Sequence, residues 1–241
     1  MPRAAIVDVG NELLSGDVEN TNGSWLARRL GALGVEVALI AVIGDEIDRV
    51  ASFVREQSAA FDVVIVTGGL GGTPDDVTRE SIAAAFGVAQ VEASDVAARL
   101  RARFTRDPDY AARWALLPEG SRPLEIRNGG APGFVIENVY VLPGLPAEME
   151  AMFETIADEV RAGAPIDTWR RTYRTTESRI VSVLEEMSTR HPGVVVGSYP
   201  SFEGGVSEVE VVVKSGDRDA LAAATAWIEP ALERATSVRS S

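Results

Sequence analysis

Short unbroken apolar runs alternate with stretches of helical spacing through the first two thirds of the chain. Residues 4–9 and 35–43 are β-prone, and residues 62–67 form a continuous apolar run that ends in glycines. A run of that kind suits a strand buried on both faces of a parallel sheet. Between these runs Leu26, Leu30 and Leu33 recur at helical spacing, with Gly34 as a stop. Ile47, Val50, Ala51 and Val54 mark one face of a second helix, and Ile82, Ala85 and Phe86 lie on a third. Val96, Leu100 and Phe104 predict another. Residues 134–142 read as two β-rich runs broken at Glu137-Asn138, and Met149, Met152, Phe153, Ile156 and Val160 predict a closing helix. This rhythm predicts a doubly wound α/β sheet.

The pattern changes after residues 161–165, an Ala/Gly/Pro stretch that reads as a linker. Residues 170–175 and 194–196 are strand-like. Ile180, Val183, Leu184 and Met187 form a helical face, Val209, Val211 and Val213 alternate with other positions as in a half-exposed strand, and residues 221–232 predict a last helix. The βαββα order predicts a small α+β domain. The expected boundaries are 1–163 and 166–241.

Composition narrows the function classes. The 241 residues carry 23 basic and 36 acidic side chains, a net charge of −13. Lys214 is the single lysine. Acidic excess with arginine in place of lysine fits adaptation to high salt, or a GC-biased genome. Either way it argues against nucleic acid and anionic membranes as partners, because both need a basic face. No apolar run is long enough to span a bilayer. The first residues run into an apolar stretch with no cleavage site after it, which predicts a cytoplasmic protein. Cysteine is absent and His191 is the only histidine, so thiolate and His-rich metal centres are excluded.

The segment from Thr67 to Thr78, TGGLGGTPDDVT, carries the densest chemistry. It lies between a buried strand and a helix, where doubly wound sheets bind ligands. Gly68, Gly69, Gly71 and Gly72 let backbone N–H groups approach an anion, and a helix N-terminus favours phosphate. Thr73-Pro74-Asp75-Asp76 also fits a capping box with Thr73 as N-cap, Pro74 at N1 and Asp76 at N3. Capping and ligand binding both stand, and Asp75 with Asp76 could hold Mg²⁺ against phosphates. The loop is neither a Walker A motif nor GxGxxG. Three other clusters follow strand ends: residues 10–16 with Glu12 (base, metal ligand or turn carboxylate), Asn20-Thr21-Asn22, and Gly44-Asp45-Glu46. The latter two are N-cap or ligand candidates. Trp114 is the aromatic considered for stacking on a heterocycle.

GNELLSG, NTN, IGDE, VTGGLGGTPDDVTRE and LPGLPAEM, in this order, resemble the N-terminal domain of the competence/damage-inducible protein A (CinA) family. That domain is similar to the MoaB/Mog-type molybdopterin-binding proteins. ALLPEGS, APGF, TTES and VVVGSYPSF resemble the middle region and KH-type domain of the same family. The resemblance implies a three-layer α/β/α sandwich with a mostly parallel sheet, followed by a small α+β KH-type domain. It implies a metal-dependent pyrophosphatase that releases AMP from ADP-ribose, with a divalent cation: Mg²⁺ first, Mn²⁺ or Co²⁺ as alternatives. By motif position Thr67, Gly68, Gly69, Gly71 and Thr73 would line the phosphate loop, with Thr78 and Asn22 among the ligand contacts. Asp45 and Asp76 match the acidic residues that position metal and phosphates. Glu12 matches the Glu of G-x-E-L-L, and it or Asp75 would orient water. Pro143, Gly144, Pro146 and Glu148 match a PG-x-P-x-E turn at the pocket rim. The family's C-terminal amidase domain has no counterpart here, so its activity is not carried over. The family's PNPxGTAPGF is shortened across residues 127–134. The small domain has no GxxG loop and is acidic at Glu203, Glu208, Glu210, Asp217 and Asp219, which argues against RNA.

Three functions are therefore expected to compete for one loop. They are nucleotide pyrophosphate hydrolysis, adenylyl transfer to molybdopterin, and non-catalytic binding of a nucleotide or pterin. A homo-oligomer, dimer or trimer, is expected from the resemblance.

Overall fold

The computed structural model describes residues 2–124 and 130–237, with Glu203 described only in its backbone. The chain forms two compact units, Met1–Gly163 and Ala164–Ser241. The shortened stretch expected at residues 127–134 lies partly outside the described residues.

In the first unit β1 (Arg3–Val9) leads through α1 (Asn11–Ser15) to α2 (Thr21–Ala32), and β2 (Glu36–Ile43) leads to α3 (Ile47–Ala60). The buried strand β3 (Val63–Thr67) precedes α4 (Thr78–Phe86). Then come β4 (Gln90–Glu92), α5 (Ser94–Arg103), α6 (Pro108–Ala112), β5 (Leu116–Pro118), β6 (Arg122–Leu124), β7 (Gly133–Ile136), β8 (Val139–Leu142) and α7 (Pro146–Val160). The main sheet runs β2-β1-β3-β8-β7-β6. β2, β1, β3 and β8 are mutually parallel, and β7 and β6 add antiparallel edges. This is an α/β fold.

Alternation along β1 explains why both faces are covered. Ala4 and Ile6 point into one core with Leu26 and Leu30 of α2, Leu33 at its C-cap, and Met149, Phe153 and Ile156 of α7. Ala5, Val7 and Val9 point into the other, with Val50 and Val54 of α3 and Ile82 of α4. Each large apolar side chain fully buried this way contributes about 1.5–3 kcal/mol, so β1 and β3 anchor both layers at once. The hairpin turn between β7 and β8 falls at Glu137, whose φ of 52° lies in the left-handed region.

The start of α4 corrects the sequence reading. The helix begins at Thr78 with Val77 at its N-cap, not at Pro74. Thr73–Asp76 instead closes a separate turn, with the Asp76 N–H donating to the Thr73 carbonyl at 3.0 Å. The short elements α1, α6, β4, β5 and β6 carry too few periodic positions to be read from the sequence.

The second unit is β9 (Asp167–Tyr173), α8 (Glu177–Arg190), β10 (Val195–Glu203), β11 (Val206–Ser215) and α9 (Arg218–Ser237). Its antiparallel sheet is ordered β10-β11-β9. Val209, Val211 and Val213 face a core with Ile180, Met187, Ile228 and Leu232. Trp227 packs against this core, its ring under the Arg190 guanidinium. His191 caps the end of α8.

Candidate functional site

The parallel strands β1 and β3 end side by side, and their exits shape the site. β3 ends at Thr67, which is buried and pairs in register with Asp8 of β1. The chain then turns at Gly68, whose φ is +101°. A Cβ there would strike the Val9 carbonyl oxygen, so only glycine lets the loop cross β1 this closely.

Three strands and one helix are tied together here. The Thr67 hydroxyl donates to the Pro143 carbonyl at 2.8 Å. The Asn22 amide donates to the Gly144 carbonyl at 2.8 Å and to the Thr67 hydroxyl at 3.2 Å. Asn20 caps α2 by accepting the Gly23 N–H at 3.0 Å, and its amide donates to Asp8 Oδ2 at 2.7 Å. A small cavity of ≈ 90 Å³ opens between these groups, lined among others by Asp8, Glu12, Asn22, Thr67, Gly68 and Gly144. Asp8 is 1% exposed, and burial pushes its carboxyl up to about 6 against the lowering effect of the Asn20 bond.

The glycine loop is built separately. Asp76 accepts the Gly71 N–H at Oδ1 (2.8 Å), and at Oδ2 it accepts the Thr73 N–H (2.8 Å) and hydroxyl (2.5 Å). Arg79, 5% exposed, lies behind the loop and donates to the Leu70 and Gly71 carbonyls at 2.6 and 2.7 Å. Burial lowers its guanidinium from the ordinary arginine value, while Glu80 and Asp76 act in the opposite sense. The Thr78 hydroxyl donates to the Gly68 carbonyl at 2.8 Å and its N–H to the Gly69 carbonyl at 3.1 Å. Thr73 also holds the exposed Asp75 carboxyl below the usual carboxylate range. Gly72 faces the Tyr110 hydroxyl and the Trp114 indole nitrogen, so a side chain there would collide with both rings.

The expected residues thus lie in several separate places. Glu12, Asn22, Thr67, Gly68 and Gly144 line one cavity with Pro146. Gly71, Thr73 and Asp76 form the loop's own hydrogen-bonded turn, with Gly69 tied to α4 and Asp75 on its exposed side. Asp45 lies at the β2 exit, where its Oδ2 accepts the Asn11 N–H at 2.8 Å. Glu148 accepts the Gly130 N–H at 3.1 Å, and Pro143 accepts from Thr67. Thr78 is fully buried, with its hydroxyl on the Gly68 carbonyl. Trp114 packs edge-on against Phe104 and Tyr110, with centroids 5.2 and 5.9 Å away, and its indole N–H is buried with no hydrogen-bond partner among the described residues.

Among the described residues no three Asp, Glu or His side chains come together as a metal cage. Asp76 is engaged on both oxygens by the loop. The oxygen donors that remain suit a hard cation held by one or two carboxylates together with a ligand's own phosphates.

Asp8 and Arg79 were missed, whereas Asn20 takes the N-cap place that was one of its two expected readings. The signal for Asp8 was a lone carboxylate inside the apolar run Ile6-Val7-Asp8-Val9. Arg79 left none, because a helix accepts arginine on any face.

Residues 5–162 match the family model described as "Probable molybdopterin binding domain". The chain belongs to this molybdopterin-binding domain family. Within the family it is similar to a crystal structure of the protein CinA from Thermoplasma acidophilum, itself of unknown function. That match has 32% identity and a TM-score of 0.62, and covers 66% of this chain and 99% of that one. A protein of Archaeoglobus fulgidus is 40% identical over 195 residues, covering 81% of this chain and 84% of its own. A CinA-like protein of Frankia casuarinae is 38% identical over 236 residues, 90% of this chain and 54% of its own length, so this chain spans about half of that relative. Residues 172–241 match a second model, described as "FAD synthase, middle domain". No helix among the described residues is long and apolar enough to cross a membrane.

Proposed function

We propose that this member of the molybdopterin-binding family binds a phosphorylated heterocycle, a pterin or a nucleotide. Its phosphate lies against the loop from Thr67 to Thr73, and its remainder enters the cavity at the ends of β1 and β3. The observation that supports this is the joining of two unlike features. One is a glycine loop backed by the buried cation of Arg79, with the Asp76 carboxylate taken up by the loop's own donors. The other is a polar cavity that begins at Gly68 of the same loop. A phosphate is held by the loop's backbone N–H groups other than those of Gly71 and Thr73, which Asp76 occupies, and the cavity supplies specificity.

A second reading is hydrolysis of a phosphoanhydride, releasing AMP from ADP-ribose. Glu12 favours it, because it brings a carboxylate to the cavity beside Gly68, within the region where a base for water is needed. A divalent cation, Mg²⁺ or alternatively Mn²⁺ or Co²⁺, would be held by Asp45 and the phosphates and would supply charge stabilisation. Asp76 keeps the loop in shape, Asn22 and Thr67 fix the cavity wall, and Glu12 holds the proton taken from water. In the same reading, residues 1–163 are a three-layer α/β/α domain and residues 166–241 a KH-type domain of a cytoplasmic homo-oligomer.

A panel of ADP-ribose, FAD, ATP and pterin phosphates, with and without each cation, decides between the readings. Thermal stabilisation without AMP release is expected for binding alone. Cation-dependent AMP release lost in Glu12→Gln selects hydrolysis. No shift with any phosphorylated compound, in folded protein, overturns both.

A further inference from the structure

The cavity at the end of β1 is lined by acceptors that no donor among the described residues satisfies. Asp8 Oδ1 is buried without a hydrogen-bond partner, and so is Asn22 Oδ1. The orientation of both neighbouring amides is fixed by their partners. Asn22 must turn its nitrogen to the Gly144 carbonyl, so its oxygen is left on the other side. Asn20 must turn its oxygen to the Gly23 N–H, so its nitrogen faces Asp8 Oδ2 and leaves Oδ1 over. Among the described residues no lysine or arginine lines the cavity, and two further carboxylates, those of Glu12 and Glu19, lie on its wall. Burying an acceptor unmatched is costly, more so for a carboxylate. Orphans of this kind need an explanation, and a ligand carrying donors supplies one.

We propose that Asp8 and Asn22 form a specificity subsite for a paired hydrogen-bond donor on the ligand, either a cis-diol or an amino–amide edge. This rests on the binding reading above and adds which end of the ligand enters the cavity. The phosphate stays on the glycine loop, and the uncharged end carrying two O–H or N–H groups points at Asp8 Oδ1 and Asn22 Oδ1. A ligand lacking those donors leaves two buried acceptors bare, a mismatch that binding sites reject strongly.

The test uses the full chain and titration calorimetry with matched probes. Ribose 5-phosphate against 2-deoxyribose 5-phosphate reports a diol, and a pterin phosphate against its 2-deaminated lumazine counterpart reports an amino–amide edge. The complete member of one pair is expected to bind at least tenfold tighter than its truncated partner. In Asp8→Asn, Asn20 keeps the new side chain's oxygen and turns its nitrogen into the cavity, so that preference is expected to disappear. Inorganic pyrophosphate, which reaches only the loop, reports loop binding by itself in the wild-type protein. Equal affinity within both pairs overturns the subsite while pyrophosphate binding leaves the loop reading intact. Stabilisation by Mg²⁺ alone that requires Asp8 also overturns it, in favour of a cation site. Failure of every probe, pyrophosphate included, overturns both readings. The ligand pairs are compared on wild-type protein, so the result stands even where Asp8→Asn fails to fold.

Discussion

The side-chain amide of Asn22 donates to the carbonyl of Gly144 at 2.8 Å, joining positions 122 residues apart. The same nitrogen reaches the Thr67 hydroxyl, which donates to Pro143. One side chain at the start of α2 therefore holds the exit of β3 to the turn before α7. Asn22→Ala is expected to destabilise the protein by about 0.5–1.5 kcal/mol, the net worth of a hydrogen bond whose carbonyl water can reach. Denaturant unfolding should show a lower midpoint at unchanged m-value. An unchanged midpoint would mean that water replaces the amide without loss.

Asp8 makes a pH-dependent prediction of definite sign. Its carboxyl ordinarily titrates near 3.8 and is pushed up to about 6 in the folded protein. The folded state therefore binds the proton more tightly than the unfolded chain. Its contribution to stability is whole below pH 4 and is lost as pH rises from about 4 through 6. By pH 7 the loss is on the order of 3 kcal/mol. Asp8→Asn should be more stable than wild type by up to that amount at pH 7, with the difference vanishing near pH 4. Paired melts from pH 4 to 8 check it, and a constant difference across that range would place the effect elsewhere. A stabilised variant that loses ligand discrimination is the pattern expected where stability has been traded for a site.

The strands were legible because their sequences are apolar on both faces, and β1, β2 and β3 fall within a residue or two of the runs that marked them. The helices α2, α3 and α7 were legible from spacing. The start of α4 was not, because Thr73-Pro74-Asp75-Asp76 has the residues of a capping box. Asp76 does accept the Thr73 N–H, as such a box requires, but the turn closes on itself and the helix begins two residues further on. The site was legible as a loop and a set of strand exits. What sequence could not show is which exits meet. Glu12, Asn22 and Thr67 share a wall, while Asp45 bonds to the backbone of Asn11 and Asp76 to its own loop. Those outcomes depend on side-chain reach across elements, which periodicity does not encode.

Arg79 tests how the loop is held from behind. Its guanidinium meets two carbonyls, of Leu70 and Gly71, in a buried position. Arg79→Lys keeps the charge but offers no planar fork, so one carbonyl loses its donor. The expected cost is about 1–3 kcal/mol, with phosphate affinity reduced several-fold because the loop loosens. Arg79→Ala, which also removes the charge, should cost more in both measurements. Pyrophosphate titrations beside thermal melts separate the two effects. Melts that fall while affinity holds would show that Arg79 supports the fold without shaping the phosphate site.

Asp76 is the residue on which the metal and structural roles divide. Its two oxygens accept three donors from Gly71 and Thr73. Asp76→Asn can keep an acceptor on one side only and turns an N–H₂ toward the other. If the carboxylate serves the loop, Asp76→Asn should weaken pyrophosphate binding about tenfold, equally with and without Mg²⁺, because the loss lies in the loop's shape. If it serves as a metal ligand, affinity without Mg²⁺ should hold and only the gain on adding Mg²⁺ should shrink. Wild-type and variant titrations in EDTA and in excess Mg²⁺ give the four numbers required. The hydrogen bonds already made by Asp76 favour the first outcome, and they explain why Gly71 must lack a side chain: a Cβ there would lie 2.5 Å from Asp76 Oδ2. Gly71→Ala is therefore expected to copy the loss seen in Asp76→Asn without changing any charge, and a Gly71→Ala protein that binds pyrophosphate normally would remove the loop explanation.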